Sequence, residues 1–247
     1  MSRFLILGSA NAVPKPGQEN THLLIESEEK VVMVDCGTNP VSKLVEAGTS
    51  ILAVTDLVLT HFHADHVGSM PLLIMDMWLE KRSDPLTIHG LQVTLDKARQ
   101  LLELFSWENW SGMFPVIFNV IPDDGASGFI SGSGCQIDAL QVKHLIPTIG
   151  LRVELTGERV ITYSCDTEPC DNLLTLAASA DVLLMESAGP GKGHTSPEQA
   201  GMIARETGVK KLILIHYDSR QDERVMLDEA LKHFNGQVML AKDMLTV

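Results

Sequence analysis

Three histidines and an aspartate lie within six consecutive residues, His61–His66. Imidazole nitrogens and carboxylate oxygens are the ligands that zinc and similar divalent metals prefer. The run directly follows the apolar residues 57–60, a pattern that predicts a strand. A strand that ends in such a cluster gives the ligands a rigid base and an open side. The sequence therefore predicts a metal site that begins with His61, His63, Asp65 and His66.

Further potential ligands follow other apolar, strand-like runs. His144 comes after residues 137–143, Asp166 after residues 160–164 and His216 after residues 212–215. A single histidine after a strand is usually structural. Three strand-end ligands accompanying the first cluster favour one shared site instead, because loops at strand ends build sites on rigid scaffolds.

Together these seven positions resemble the metal site of the metallo-β-lactamase fold. The stretches Leu7–Ala10, Val34–Gly37, Tyr163–Thr167 and Gly193–Ala200 are most similar to its ribonuclease Z-like branch. The resemblance implies an α/β (α+β) fold, a four-layer αββα sandwich with the site at one edge of two sheets. It runs over nearly the whole chain, so we expect a single domain over residues 1–247.

The resemblance also implies two divalent ions and assigns their ligands. One ion is bound by His61, His63 and His144, the other by Asp65, His66 and His216, and Asp166 bridges both. A carboxylate can bridge because both of its oxygens carry free lone pairs. The ligands suit zinc, although manganese or iron can occupy such a set. Because histidines must be neutral to ligate, metal affinity should fall in acid.

Two such ions, about 3.5–4 Å apart, can share a water and lower its pKa towards neutrality. Asp65 can orient the resulting hydroxide while it ligates the second metal. His194 resembles the branch histidine that assists the leaving group, and an imidazole suits proton donation near pH 7. The alternative is that His194 only orders its glycine-rich loop. Serine and cysteine residues show no recognisable triad motif.

Short strand-like runs dominate the first part of the sequence, and strand-like and helix-like runs alternate more cleanly in the second. In each part strands come first and helices follow, which predicts sheets covered by helices. In the first part we expect strands at Phe4–Gly8, His22–Glu26, Val31–Asp35, Leu57–Thr60, Val116–Ile121, Gln136–Val142, Ile149–Leu155 and Val160–Ser164, with helices at Ser69–Glu80 and Thr94–Phe105. In the second part we expect helices at Asp171–Ala180, Ser196–Gly208 and Asp222–Phe234, with strands at Val182–Glu186 and Lys211–Ile215.

The 247 residues carry a formal net charge of −13, from 19 basic and 32 acidic side chains. So acidic a surface repels polyanions, which disfavours long nucleic acid as a partner. Two bound divalent ions add about four positive charges at the site, so a small anionic ester substrate remains compatible. With neither a secretory signal nor a membrane-spanning stretch in view, we expect a cytoplasmic protein that does not bind membranes. Relatives often pair, so a homodimer is possible.

Several features depart from the family pattern. Members that process tRNA carry a long arm between the third histidine and the bridging aspartate, and the short span between His144 and Asp166 has no room for it. Cys165 stands where the family usually has glycine, and it either tunes the site or fills space. The aromatic stretch 105–114 has three interpretations: a lid or pocket wall that contacts the substrate, a dimer contact, or packing over the helix that precedes it. His22, His89 and His233 fall outside the motifs and are expected to be structural.

The leading hypothesis is a phosphodiesterase acting on a small or nucleotide-like substrate. The same hydroxide could instead attack a lactone, thioester or aryl sulfate, since fold alone does not decide function. A tRNA 3′-end endonuclease and a non-catalytic metal-binding protein are weaker alternatives. Iron-binding redox relatives use a carboxylate where His63 stands, which argues against redox chemistry. No C-x-x-C pair occurs among the four cysteines, and disulfides are not expected.

Overall fold

Two sheets of seven strands form the centre of the structure. The computed structural model describes residues 2–157 and 159–247. Its strands are β1 (Arg3–Gly8), β2 (His22–Glu26), β3 (Val31–Val34), β4 (Asp56–Val58), β5 (Leu86–Leu91), β6 (Val116–Ile121), β7 (Ala126–Gly132), β8 (Cys135–Val142), β9 (Thr148–Leu155), β10 (Arg159–Tyr163), β11 (Val182–Glu186), β12 (Lys211–Ile215), β13 (Gln237–Leu240) and β14 (Leu245–Thr246). The first sheet has the order β14-β1-β2-β3-β4-β5-β6, and the second has the order β13-β12-β11-β10-β9-β8-β7.

Helices cover the outer face of each sheet. They are α1 (Pro40–Glu46), α2 (Ala64–Val67), α3 (Met70–Leu79), α4 (Gln92–Glu103), α5 (Asp171–Ala177), α6 (Pro197–Thr207) and α7 (Glu223–Leu231). Buried residues of α1, α3 and α4 share a core with the first sheet, and those of α5, α6 and α7 share a core with the second. The expected four-layer αββα sandwich is confirmed.

Side-chain alternation along the strands builds these layers. In β1, Phe4 and Ile6 join the core between the sheets, while Leu5 and Leu7 join the core under the helices of the first sheet. Successive side chains of a strand point to opposite faces, so a strand covered on both faces needs apolar residues throughout. The continuous apolar runs of β11 and β12 meet this requirement, and both strands are almost entirely buried.

The carboxyl ends of several strands meet at one edge of the sandwich. Neighbours β10, β11 and β12 are parallel, and so are β3, β4 and β5. Strand β8 has the same direction as β10 because both are antiparallel to β9. The two sheets are joined at this edge by the N–H of Ile149, which donates to the carbonyl of Thr60 at 3.1 Å. Residues that follow these strands therefore converge.

Several elements differ from the sequence-based prediction. The pattern does not predict α1, α2, β7, β13 or β14 and gives no bounds for β5, and α4 begins at Gln92, two residues before the expected start. Strand β7 is rich in glycine and serine, and pairing with β8 supplies the order that its own sequence does not. None of the helices among the described residues has both the length and the hydropathy that crossing a lipid bilayer requires.

The aromatic stretch 105–114 packs largely against the first sheet and its helices. Trp107 and Phe114 are buried in the core of that sheet. The ring of Trp110 lies 5.2 Å from that of Trp78, whose Nε1–H donates to the carbonyl of Ser111 at 2.9 Å. Phe105 stays 55% exposed. Packing therefore accounts for most of the stretch.

Candidate active site

Three histidines and one carboxylate oxygen form the first ligand group. His61 Nε2 and His144 Nε2 lie 3.0 and 3.2 Å from His63 Nδ1. Asp166 Oδ2 lies 3.8 Å from both His61 Nε2 and His144 Nε2. These four side chains come from the loop after β4 and from the residues following β8 and β10. The structure thus brings together the residues that the sequence predicts for one metal.

The second ligand group lies on the other side of Asp166. His66 Nε2 and His216 Nε2 are 3.4 Å apart, and Asp65 Oδ2 lies 3.6 and 3.4 Å from them. Asp166 Oδ1 faces the same two nitrogens at 3.6 and 3.4 Å. The two oxygens of Asp166 therefore point to different groups, the arrangement that a bridging carboxylate requires.

The chemistry of these donors fits metal ions. An imidazole nitrogen without a hydrogen carries a lone pair, and closely facing lone pairs repel unless a proton or cation lies between them. Here ring nitrogens face one another within 3.4 Å in both groups. Among the described residues, the buried Oδ1 of Asp166 also has no hydrogen-bond partner. Two divalent cations would satisfy all of these atoms, and the donor types suit zinc best, although manganese or iron can occupy such a set.

The acid–base properties of the ligands agree with this fit. Burial lowers the pKa of His61, which favours the neutral form that ligates. Burial also acts to lower the pKa of His66, but the carboxylates of Asp166 and Asp35 outweigh it and raise that pKa to about 10. In the metal-free protein His66 therefore holds a proton at neutral pH, which a metal must displace. Metal affinity should accordingly fall as the pH falls.

Helix α2 presents Asp65 and His66 because its backbone is tied to the turn after β3. The N–H of Cys36 donates to the carbonyl of His66 at 2.7 Å. Gly37 is required at the next position, since a Cβ atom there would overlap the carbonyl oxygen of Asp65. The Val34–Gly37 stretch thus supports the metal loop directly.

Asp35 orients two of the histidines. Its Oδ2 accepts hydrogen bonds from His66 Nδ1 at 2.8 Å and from the Thr60 hydroxyl at 2.7 Å. The Thr60 oxygen lies 3.1 Å from His61 Nδ1 and can accept its hydrogen. Donation from Nδ1 leaves Nε2 free for a metal, which is the common arrangement around metal-bound histidines. Asp35 is fully buried, so it has no competing contact with solvent.

We expect Asp35→Asn to weaken metal binding by about 10–100-fold, the usual cost of losing such a supporting partner. The amide keeps the volume but lacks the charge that favours the His66 hydrogen bond. Competition with a chelator measures the affinity. Thr60→Val is a second variant with a smaller expected effect, because it removes only the hydroxyl that links Asp35 to His61. Unchanged affinity in both variants would remove Asp35 and Thr60 from the support of the site.

Cys165 lies against the first ligand group, and whether it tunes the site or fills space stays open. Its sulfur lies 3.6 Å from His61 Nδ1 and is fully buried. Burial raises the pKa of the thiol well above its ordinary value, which keeps it protonated. Its backbone has φ of 52°, a conformation that favours glycine, in line with the glycine expected there.

His194 lies beside the two ligand groups and is held by Glu186. Its ring centroid is 5.0 Å from that of His144 and 6.0 Å from that of His216. The Nδ1–H donates to Glu186 Oε1 at 3.1 Å, and this hydrogen bond raises the pKa of His194. Glu186 is fully buried at the end of β11 and also accepts from the N–H of Thr195 at 2.9 Å. The pair places a histidine whose pKa is raised beside Asp166 and the two ligand groups.

The remaining histidines lie outside the ligand groups found among the described residues. His22 is buried and hydrogen-bonds the carbonyl of Asn20 at 2.8 Å. His89 contacts the buried Asp56 at 2.8 Å, and His233 contacts Glu198 at 3.0 Å. These contacts are compatible with the expected structural role of each, which stays a prediction. All four cysteines are free.

Two groups of histidines and carboxylates at one edge of an αββα sandwich define a metal-dependent hydrolase of the metallo-β-lactamase fold, ribonuclease Z-like in its sequence. More narrowly, the chain belongs to the family described as Anti-Pycsar protein Apyc1, whose family model matches residues 2–239.

Curated relatives are enzymes named ribonuclease Z. The protein of Picrophilus torridus is 28% identical over 293 residues, covering 98% of this chain and 94% of that one. The protein of Methanosarcina acetivorans is 25% identical over 304 residues, covering 99% and 97%. Both alignments are longer than the 247 residues of this chain, so the relatives carry segments that it lacks.

Solved structures share the fold over the whole chain. The metallo-β-lactamase fold protein YhfI from Bacillus subtilis superposes with a TM-score of 0.85 at 21% identity, covering 100% of this chain and 98% of that one. Human tRNase Z, short form, gives 0.79 at 21% identity with 100% and 98% coverage. A diphosphatase from the PhnP family gives 0.77 at 14% identity with 100% and 97% coverage.

Proposed function

We propose that this chain hydrolyses phosphodiester bonds in small, nucleotide-like molecules and uses two divalent metal ions as cofactors, zinc being the best match to its ligands. The observation that carries the proposal is the position of His194, whose Nδ1–H donates to the buried Glu186 at 3.1 Å and whose ring lies beside Asp166. Phosphodiester hydrolysis expels an alkoxide, and a proton donor at this position would neutralise it.

Three further expectations stay predictions: that the chain forms one domain, that it acts in the cytoplasm and that it forms a homodimer.

The roles of the residues follow from their positions. Two bound divalent ions would supply Lewis acidity towards the phosphoryl oxygens and lower the pKa of an attacking water. The Oδ2 atom of Asp65 lies 3.6 Å from His66 Nε2. The second carboxylate oxygen of Asp65 can accept a hydrogen bond from the attacking water and so orient it. His194 donates a proton from its ring to the departing oxygen, and Glu186 keeps the ring protonated and oriented.

The names of the relatives favour a second candidate, cleavage at the 3′ end of precursor tRNA. Two features of this chain favour the small substrate instead. The described residues between His144 and Asp166 form strands β9 and β10. They include no protruding arm of the kind expected in family members that process tRNA. The net charge of −13 also opposes binding of a long polyanion.

A substrate panel tests the proposal on protein reloaded with zinc or manganese. The panel holds bis(4-nitrophenyl) phosphate, purine and pyrimidine cyclic nucleotides, a lactone, a thioester, an aryl sulfate and a precursor tRNA. We expect phosphodiesters to give kcat/KM at least about 100-fold above the other esters, and chelator-treated protein to be inactive. Cleavage of the tRNA alone would support the second candidate, and turnover of the lactone, thioester or sulfate alone would reject both.

A further inference from the structure

Glu168 links two parts of the site although neither the ligand groups nor the proton donor includes it. It lies two residues after Asp166, and its side chain is 25% exposed. Its Oε1 accepts a hydrogen bond from the N–H of Gly193 at 2.8 Å. Its Oε2 contacts Lys143 Nζ at 2.8 Å. Hydrogen bonds to an ionised carboxylate are roughly twice as strong as neutral ones.

The backbone of Gly193 also contacts the metal ligand His144. Its carbonyl accepts a hydrogen bond from His144 Nδ1 at 2.6 Å. The backbone has φ of 83°, and a Cβ atom at this position would lie 2.9 Å from His144 Nδ1, which leaves glycine as the residue that fits. Donation from Nδ1 holds the His144 ring in the form whose Nε2 faces His63 and Asp166.

The same peptide leads directly into His194. The segment turns back on itself, because the N–H of His194 donates to the carbonyl of Gly191 at 3.2 Å. Glu186 holds the His194 ring from one side, but the position of the backbone before it depends on the Gly193 contacts. A shift of the Gly193 peptide would therefore move His144 and His194 together.

We propose that Glu168 is a positioning residue that holds both His144 and His194 in place through the Gly193 peptide. Its action on His144 concerns metal binding alone, whereas its action on His194 rests on the proposed function. The backbone N–H of Glu168 donates to the carbonyl of Lys143 at 2.7 Å, and this bond survives any substitution of the side chain. Side-chain variants thus leave this backbone bond in place, and Glu168→Ala removes only the carboxylate's contacts with Gly193 and Lys143.

The test compares Glu168→Ala with Glu168→Gln, which keeps an oxygen that can accept from Gly193. Glu154→Ala is the matched control, since Glu154 forms an exposed ion pair with Arg152 away from the ligand groups. The first readout is titration of metal-free protein with Co²⁺, followed by visible absorption. The second is kcat and KM for two phosphodiesters, one releasing 4-nitrophenolate and one releasing an alkyl alcohol.

We expect Glu168→Ala to weaken Co²⁺ binding at one of the two sites by about 10–100-fold. With saturating metal, we expect its kcat to fall about tenfold or more for the alkyl leaving group and less for 4-nitrophenolate, with KM nearly unchanged. Glu168→Gln should recover most of both losses, and Glu154→Ala should match the wild type.

Wild-type Co²⁺ binding in Glu168→Ala would overturn the link to His144, and equal losses of kcat for both leaving groups would overturn the link to His194. Equal impairment of the Gln and Ala variants would show that Gly193 is not the route. If the wild type hydrolyses neither phosphodiester, the proposed function fails, and the Co²⁺ titration still decides whether Glu168 acts on the metal site.

Discussion

Replacing Asp166 with alanine is expected to lower turnover by about 1,000-fold or more and to reduce the metal content below two ions per chain. Asp166 is the residue whose two oxygens face both ligand groups, at 3.4 to 3.8 Å from their nitrogens. Lewis-acid stabilisation by metals is worth several kcal/mol, and each ~1.4 kcal/mol is a factor of ten in rate. Loss of the carboxylate that faces both metal-ligand groups is therefore expected to lower the turnover rate by about three orders of magnitude.

Metal analysis after reloading and kcat on a phosphodiester measure the effect. Asp166→Asn keeps the shape but carries one neutral NH2 group, so it should retain one ion better than it retains two. Asp138→Ala is the matched control, because Asp138 also accepts several hydrogen bonds in the second sheet yet lies outside the ligand groups. Wild-type turnover with two ions in Asp166→Ala would refute the bridging role.

The ligands were predictable because their signal is local. Each follows an apolar run that forms a strand, and parallel strands that share a sheet end at the same edge. Residue type and position after a strand therefore indicate both the chemistry and the place. His144, Asp166 and His216 were recognised because they accompany the His61–His66 cluster, since a single histidine after a strand is usually structural.

The supporting carboxylates were not assigned roles from the sequence. Glu186 reads as the polar end of a buried strand, and nothing near it in the sequence indicates that it holds His194. Asp35 lies 31 positions from His66, and Glu168 lies 25 positions from Gly193. Such roles depend on which loops the fold brings together. The periodicity of residue types along the chain does not indicate these long-range contacts.

Parts of the fold escaped prediction for the same reason. Strand β14 has two residues and exists because Leu245 and Thr246 pair with β1 at the opposite end of the chain. Asn39, which precedes α1, adopts a positive φ and makes no side-chain cap, so the usual start signal of a helix is missing there. In contrast, α6 carries the full capping box of Ser196 and Gln199, and its start is where the sequence predicts it.

Replacing His194 with alanine should separate proton donation from metal binding. The ring donates to Glu186 and lies close enough to Asp166 and His216 to form a further candidate ligand group, but the resemblance assigns it to neither ion, so we expect the metal content to stay at the wild-type value. General acid catalysis contributes about 100- to 10,000-fold, and we expect a loss in that range for an alkyl leaving group. For 4-nitrophenolate, which leaves readily without a proton, the loss should be much smaller.

The pH dependence gives this prediction its sign. The hydrogen bond that His194 donates to Glu186 raises the pKa of His194 above its ordinary value of 6.5, so the ring stays protonated to a higher pH than an ordinary histidine and loses its proton as the pH rises through the raised pKa. Wild-type kcat for the alkyl substrate should therefore decline on the alkaline side, and His194→Ala should lack that decline. His233→Ala is the control, since His233 pairs with Glu198 on the surface. Unchanged kcat and an unchanged alkaline limb in His194→Ala would reduce His194 to ordering its loop, because a residue that supplies the proton cannot be removed without altering both.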